Sequence, residues 1–202
     1  MSVAPKTKSM PAQGTGDLDS SHRHNNMHNH LVISALGQDR PGIVNELSKL
    51  ILESGCNILD SRMTVLGGEF AIMLMISGPW NAVAKLENSL AAAQERWELT
   101  IISRRTAPRE AKRNLLPYAV EVVSMDNPGI VNHIARFFSE RKINIEDLRT
   151  DSYAAPHTGT PMFSIHMVIG IPSTVHLGEL RDQFMTLCEE LNLDSVMEPV
   201  KI

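Results

Sequence analysis

The 202-residue chain is poor in aromatic residues and in cysteine, and it has no apolar run long enough to cross a membrane. Aromatics make up 4% of the residues, so any core must be aliphatic. The two cysteines, Cys56 and Cys188, are too few for a disulfide framework and favour a reducing compartment. No apolar segment of the signal-peptide kind occurs near the start. These absences predict a cytosolic protein.

The formal net charge of −4 provides no basic field that would hold nucleic acid or an anionic membrane. The basic run from Arg104 to Arg113 lacks interleaved aromatics, which favours a solvated linker over a nucleic-acid contact. The chain has no glycine-rich phosphate loop, no Cys-x-x-Cys and no His-Glu-x-x-His. We therefore predict no cofactor, no metal and no catalytic residue. The histidines of the polar N-terminal segment could suggest a metal site, but a polar tail without a rigid frame is favoured: His22, His24, His28 and His30.

The dominant feature of the sequence is an internal repeat with an offset of 87 residues. The segment DRPGIVN at 39–45 recurs as DNPGIVN at 126–132, and Asn57-Ile58 recurs as Asn144-Ile145. From position 39 to 62, 11 of 24 residues are identical to their counterparts without a gap, where chance gives about one or two. The chain therefore contains two copies of one unit.

Each copy has the periodicity of strand-helix-strand-strand-helix-strand. That order predicts an α+β fold in which a four-stranded antiparallel sheet carries two helices on one face. In the first copy, strands are expected at 31–37, 57–66, 69–77 and 98–103, and helices from the Pro-Gly pair at 41–42 and at about 81–93. In the second, strands are expected at 117–124, 144–151, 162–171 and 193–200, and helices from 128–129 and at about 174–190.

The domain boundaries follow from these elements and from composition. Residues 1–29 have almost no bulky apolar side chains and are predicted to be a disordered arm. The first domain is expected at 30–103, a polar linker at 104–116 and the second domain at 117–202. Strand 70–76 is apolar on both faces, which predicts that the second copy or another chain covers its open face and that the protein is a homo-oligomer.

The repeated Asp-x-Pro-Gly motif lies between the first strand and the first helix of each copy. Pro41 suits the first helical position, and Gly42 leaves room for a ligand. The amides that open the helix favour a carboxylate, while Asp39 could accept from an ammonium group or cap the helix. Asn57 begins an edge strand and could reach a ligand held against a neighbouring edge. Together these groups describe a site for a small amino acid, although Asp-x-Pro-Gly is also ordinary loop-to-helix chemistry.

The candidate ligand-binding residues are the same set in both copies. They are Asp39, Arg40, Pro41, Gly42, Ile43, Asn57 and Ile58 in the first copy, and Asp126, Asn127, Pro128, Gly129, Ile130, Asn144 and Ile145 in the second. Gly42→Val is expected to remove ligand binding and to leave the fold largely intact.

The residues from 31 to 202 resemble the tandem ACT-domain proteins, and specifically the glycine cleavage system transcriptional repressor family of bacteria. The matches are Ala35-Leu36-Gly37 before Asp39-Arg40-Pro41-Gly42-Ile43-Val44, then Gly55-Cys56-Asn57-Ile58, Asp60-Ser61-Arg62, Trp80-Asn81-Ala82 and Leu187-Cys188. The resemblance implies two ferredoxin-like βαββαβ domains. It also implies a non-enzymatic regulator that responds to glycine and binds a LysR-type transcription activator protein. The second copy carries only a generic ACT motif.

Two other functions stay open from the sequence. One is a regulatory subunit that acts on an amino-acid or folate metabolic enzyme, and the other is a small-molecule sensor with no protein output. The two copies occupy all of the sequence that is predicted to be ordered, so no catalytic domain is expected in this chain.

Overall fold

A computed structural model describes residues 29–107 and 114–200, which form two compact units on either side of the gap. The predicted arm lies outside the described residues except for Asn29, which begins the first strand. In the first unit the elements are β1 (Asn29–Gln38), α1 (Ile43–Glu53), β2 (Asn57–Leu66), β3 (Glu69–Gly78), α2 (Trp80–Trp97) and β4 (Thr100–Thr106). In the second they are β5 (Leu115–Met125), α3 (Ile130–Glu140), β6 (Asn144–Ala154), β7 (Pro161–Pro172), α4 (Leu177–Glu190) and β8 (Asp194–Pro199).

Each unit is a four-stranded antiparallel sheet with the order β2-β3-β1-β4 or β6-β7-β5-β8. The predicted βαββαβ fold is thus confirmed for both copies. The strands predicted at 57–66 and 69–77 are joined at Gly67-Gly68, where both residues have positive φ (61° and 90°) as a tight two-residue turn requires. No helix in the described residues is both long enough and apolar enough to span a membrane.

The core of each unit lies between its sheet and its two helices. In the first unit it is largely aliphatic, as the composition predicted, and alternate residues of β3 point into it: Phe70, Ile72, Leu74 and Ile76. In the second unit three phenylalanines form its centre, namely Phe137 and Phe138 of α3 and Phe184 of α4. Both cysteines are buried among apolar neighbours, where they serve as small packing groups.

Several predicted boundaries are wrong by a few residues, and each has a physical cause. Pro41 and Pro128 are not the first helical residues, because α1 and α3 begin after left-handed N-caps at Gly42 and Gly129. The predicted linker is shorter than 104–116. β4 continues to Thr106 because its pairing with β1 extends to His30, and β5 already begins at Leu115.

Arg105 explains why a basic segment is strand and not linker. Its guanidinium forms a bidentate ion pair with Glu87 of α2, with a shortest distance of 2.7 Å between Nη2 and Oε2. The pair keeps the pKa of Glu87 below its ordinary value, chiefly through the hydrogen bond from Arg105. In the sequence, the positive charge of Arg105 favours a linker. In the structure, that charge links β4 to α2.

The junction between β3 and α2 gives a first testable prediction. A β-carbon on Gly78 would lie 2.9 Å from Sγ of Cys56, so Gly78→Ala should lower the free energy of unfolding by about 1–2 kcal/mol through overpacking. Adding Cys56→Ala should recover part of that loss, because the clashing sulfur is gone.

Urea denaturation of the two single variants and the double variant measures this coupling. Gly178→Ala in α4 is the control, since its β-carbon would meet no atom within 4 Å and alanine favours a helix. Strictly additive effects at Gly78 and Cys56 would contradict the predicted contact.

Candidate functional site

The loop between β1 and α1 opens into a cleft on the first unit. Its cavity is about 510 Å³, and it reaches from the loop to side chains of β2 and β3. The lining residues are Asp39, Arg40, Gly42, Ile43, Val44, Asn45, Ser48, Met63 and Phe70.

The second unit has a matching cleft of about 550 Å³ at the loop between β5 and α3. Every residue that lines it occupies the position of a residue lining the first cleft. Seven of the eight correspond at the 87-residue offset, and Phe163 corresponds to Phe70 by its register in the sheet. The lining residues are Asp126, Asn127, Gly129, Ile130, Val131, Asn132, Ala135 and Phe163. The repeat therefore preserves a concave surface as well as a loop sequence.

The helix openings at both clefts present unused amides. Gly42 has φ 99° and ψ −12°, and no side chain caps α1. The carbonyl of Gly42 accepts from the amide of Glu46 at 2.9 Å, and no described group accepts from the three amides in between, at positions 43–45. Gly129, with φ 97°, repeats this arrangement in front of α3. Free amides at a helix N-terminus favour an anion such as a carboxylate.

Asp39 and Asp126 are held in the loops by their backbones. The amide of Asp39 donates to the carbonyl of Gly68 at 3.0 Å, and that of Asp126 donates to the carbonyl of Pro161 at 3.0 Å. Neither carboxylate caps a helix, so that alternative is wrong. Within the described residues neither carboxylate accepts a hydrogen bond, which leaves both able to accept from an ammonium group.

The two clefts differ in charge beside the loop. In the first unit Arg40 forms a bidentate pair with Glu46, at 2.6 Å between Nη2 and Oε2. The hydrogen bond from Arg40 lowers the pKa of Glu46 from its ordinary value. In the second unit the corresponding residues are Asn127 and His133, and Asn127 instead donates to the carbonyl of Met125 at 3.4 Å. The first cleft therefore has an ion pair at its edge, which Asn127 and His133 do not form at the edge of the second.

Some predicted site residues do not meet the loops within their own unit. Asn57 pairs with Ser77, at the end of the sheet where β1 begins, whereas the β1–α1 loop leaves the other end near Glu69. Along the ten residues of β2 that separation is about 30 Å. The same holds for the second unit, so the structure does not join Asn57, Ile58, Asn144 and Ile145 to the loops. Pro41 and Pro128 do not line the clefts either.

Residues that the motif did not reveal complete the first cleft. Met63 of β2 lies at the rim of the cleft and is 54% exposed. Phe70 of β3 is buried and lines the bottom of the cleft, and Ser48 lies one turn into α1. The 87-residue offset places Ala135 at the position of Ser48 and Thr150 at that of Met63. Helical spacing could have found Ser48, which follows Val44 by one turn of α1, but no sequence signal assigned Met63 to the cleft.

In the part of the chain that the structure describes, no three or more His, Cys, Asp or Glu side chains are grouped so that they could hold a metal ion. Of the four N-terminal histidines, only His30 is described, and it lies in β1. His22, His24 and His28 lie outside the described residues.

Comparison with known proteins agrees with this architecture. The ACT domain family model matches residues 29–103. The glycine cleavage system transcriptional repressor of Escherichia coli is 32% identical over 163 residues, which cover 81% of this chain and 86% of that protein. A UPF0237 protein of Methanocaldococcus jannaschii is 36% identical over 74 residues, covering 36% of this chain and 82% of that protein.

A solved structure extends the likeness to both units. The crystal structure of a candidate glycine cleavage system transcriptional repressor superposes with a TM-score of 0.68 at 30% identity, covering 87% of this chain and 99% of that one. A protein from Galdieria sulphuraria superposes with a TM-score of 0.71 at 26% identity over 86% of this chain. With its two βαββαβ units and its repeated loop motif, the chain belongs to the tandem ACT-domain family that includes the glycine cleavage system transcriptional repressor.

Proposed function

We propose that this protein is a non-enzymatic regulator that binds glycine in the cleft of its first unit and controls a LysR-type transcription activator by protein contact. In this role it would repress expression of a glycine cleavage system. The observation that carries the proposal is the repeated cleft, in which unused helix-opening amides and an unused aspartate line one concave surface.

The chemistry of the cleft suits a small amino acid. The free amides at positions 43–45 would donate to its carboxylate, and Asp39 would accept from its ammonium group. A β-carbon on Gly42 would meet no atom within 4 Å, so its free side faces open space in which a ligand can come close to the backbone. Asn57 and Ile58 can contribute only from another module, because their own unit holds them at the far end of the sheet.

Glycine is also consistent with weak, reversible sensing. It has five heavy atoms, and the best tiny ligands gain about 1.5 kcal/mol per heavy atom. That ceiling allows micromolar affinity, and an open cleft such as this one favours millimolar affinity. A regulator that follows metabolite levels needs an affinity in that range.

Isothermal titration with glycine, serine and alanine tests the ligand, and two matched variants test the site. Met63→Trp should weaken glycine binding at least about tenfold, because the larger ring would overhang the cleft from an exposed rim position. Thr150→Trp makes the same change at the equivalent position of the second unit and should leave the affinity unchanged.

Equal glycine binding by both tryptophan variants and the native chain would contradict the assignment to the first cleft. The absence of heat with all three amino acids would contradict an amino-acid ligand. The partner is tested separately, by capture of a LysR-type activator on the immobilised full chain with and without glycine. Capture of an amino-acid or folate enzyme instead would favour the alternative of a metabolic regulatory subunit.

A further inference from the structure

The sheet of the first unit has a face that its helices do not cover, called here the open face. Its centre is formed by alternate residues of β1 and β3, and the edge strands β2 and β4 flank it. The residues are Asp60, Arg62 and Thr64 on β2, Ala71, Met73 and Met75 on β3, Val32, Ser34 and Leu36 on β1, and Thr100, Ile102 and Arg104 on β4.

The open face has exposed apolar side chains at its centre and at Ile102 of the flanking strand β4. Leu36 is 51% exposed, Met73 53% and Ile102 66%. These three side chains lie on three neighbouring strands, so they form one patch and not scattered surface residues. A contiguous patch of this kind marks an interaction surface.

The equivalent face of the second unit carries charged and polar side chains, as a face exposed to water does. The cross-strand pair Ser34 and Met73 corresponds by register to Glu121 and His166, whose side chains approach to 3.7 Å. Arg104 corresponds to the acidic Glu198. On this face the two units thus differ in the way expected if only the first is covered.

We propose that a second copy of this chain covers the open face of the first unit, through a twofold axis that runs along the strands between β1 and β3. Under that rotation β3 lies opposite β1 of the partner subunit, and β2 lies opposite β4 of the partner subunit. This axis places large side chains over small ones at the centre of the face and opposite charges together in one row at its edges.

The complementarity at the centre is one of size. Met73 and Ser34 are cross-strand neighbours, so the rotation places the long side chain of Met73 over Ser34 of the partner subunit. Leu36 and Ala71 are also neighbours, and Leu36 then lies over Ala71 of the partner subunit. Large side chains thereby face small ones, which lets two layers interdigitate. Sheets packed face to face keep their strands within about 30° of each other, so the central rows stay in register.

The complementarity at the edges is one of charge. One row across the sheet contains Asp60, Met75, Val32 and Arg104 in that order. Reversing this row places Asp60 opposite Arg104 of the partner subunit, once on each side of the axis. Within the described residues Arg104 has no ion pair, while Asp60 also binds Arg62 at 2.6 Å. An isologous interface requires this kind of self-complementarity.

Sedimentation velocity of the full chain over a range of concentrations tests the proposal, with two matched variants. Ile102→Lys should weaken the dimer at least about tenfold, because the rotation places this position opposite Arg62 of the partner subunit and a second positive charge would be buried there. Val196→Lys makes the same change at the equivalent, 53% exposed position of the second unit and should leave the dimer unchanged. Both sites are exposed, so neither variant should affect folding, which circular dichroism checks.

A charge exchange tests the axis itself. Asp60→Lys or Arg104→Glu alone should weaken the dimer about threefold or more, and the double variant should restore most of the affinity. A chain that stays monomeric well above micromolar concentration would overturn the proposal. A dimer weakened equally by Val196→Lys, or not restored by the double exchange, would overturn it as well.

Discussion

Phe184→Ala is expected to lower the free energy of unfolding of the second unit by about 3–5 kcal/mol. Phe184 is fully buried, and its ring centroid lies 5.4 Å from that of Phe137 and 5.3 Å from that of Phe138. The truncation removes both ring contacts and leaves a cavity where α3 meets α4. A unit of this size has a total stability of only about 5–15 kcal/mol, so a large fraction of it would be lost.

The position of the tryptophans makes this loss measurable unit by unit. Trp80 and Trp97 both lie in the first unit, so their fluorescence follows that unit, while far-UV circular dichroism follows both. In urea, Phe184→Ala should move the circular-dichroism transition to lower concentration. Met185→Ala on the same helix is the control, because its side chain is 36% exposed and its loss should cost about 1 kcal/mol or less. An unchanged dichroism midpoint for Phe184→Ala would contradict the role of the aromatic cluster.

The repeat made most of the fold predictable. Two independent copies of the same pattern reduce the chance of a wrong element, and β2 has the predicted bounds, 57–66. The predictions that were wrong concern the ends of helices and strands, where the same residues are compatible with more than one local backbone conformation. A Pro-Gly pair is equally compatible with a helix that starts at the proline and with one that starts after a left-handed glycine, and the φ of 99° at Gly42 decided for the latter.

The residues of the site were only partly predictable, because a register shift decides which side chains reach the cleft. The pairing of β2 with β3 slips by one residue between Ile58 and Asp60. Without that bulge, Arg62 would face the helices and Met63 would face the open side, since neighbouring side chains alternate. The shift instead turns Met63 toward the cleft and places Arg62 beside Asp60 on the open face.

The same shift recurs between Ile145 and Asp147 of β6, but its ion pair differs. By its spacing along the strand, Arg149 would be expected to pair with Asp147, as Arg62 does with Asp60. Instead Arg149 binds Asp151 at 3.2 Å. Both carboxylates share a face with Arg149, and only the coordinates decide between two partners at equal spacing along one strand.

Gly42→Val is expected to abolish glycine binding and also to lower the stability of the first unit by about 1–3 kcal/mol. The sequence alone suggested that the fold would be left intact. The φ of 99° changes that expectation, because a β-branched residue is strained in the left-handed region. Loss of binding by this variant would therefore have two causes, steric filling of the cleft and a distorted loop.

Gly42→Asn separates the two causes, because asparagine tolerates a left-handed backbone far better than valine does. Its side chain would still project into the open space beside the helix-opening amides. We therefore expect calorimetry to find glycine binding weakened at least about tenfold in both variants, while thermal unfolding finds a substantial loss of stability in the valine variant alone. Gly129→Asn makes the matching change in the second unit, where the β-carbon would lie 3.6 Å from His133, and it should leave binding by the first unit unchanged. If Gly42→Asn bound glycine as the native chain does, the β-carbon of residue 42 would not point into the ligand's space, and the amides that open α1 could not be what holds its carboxylate.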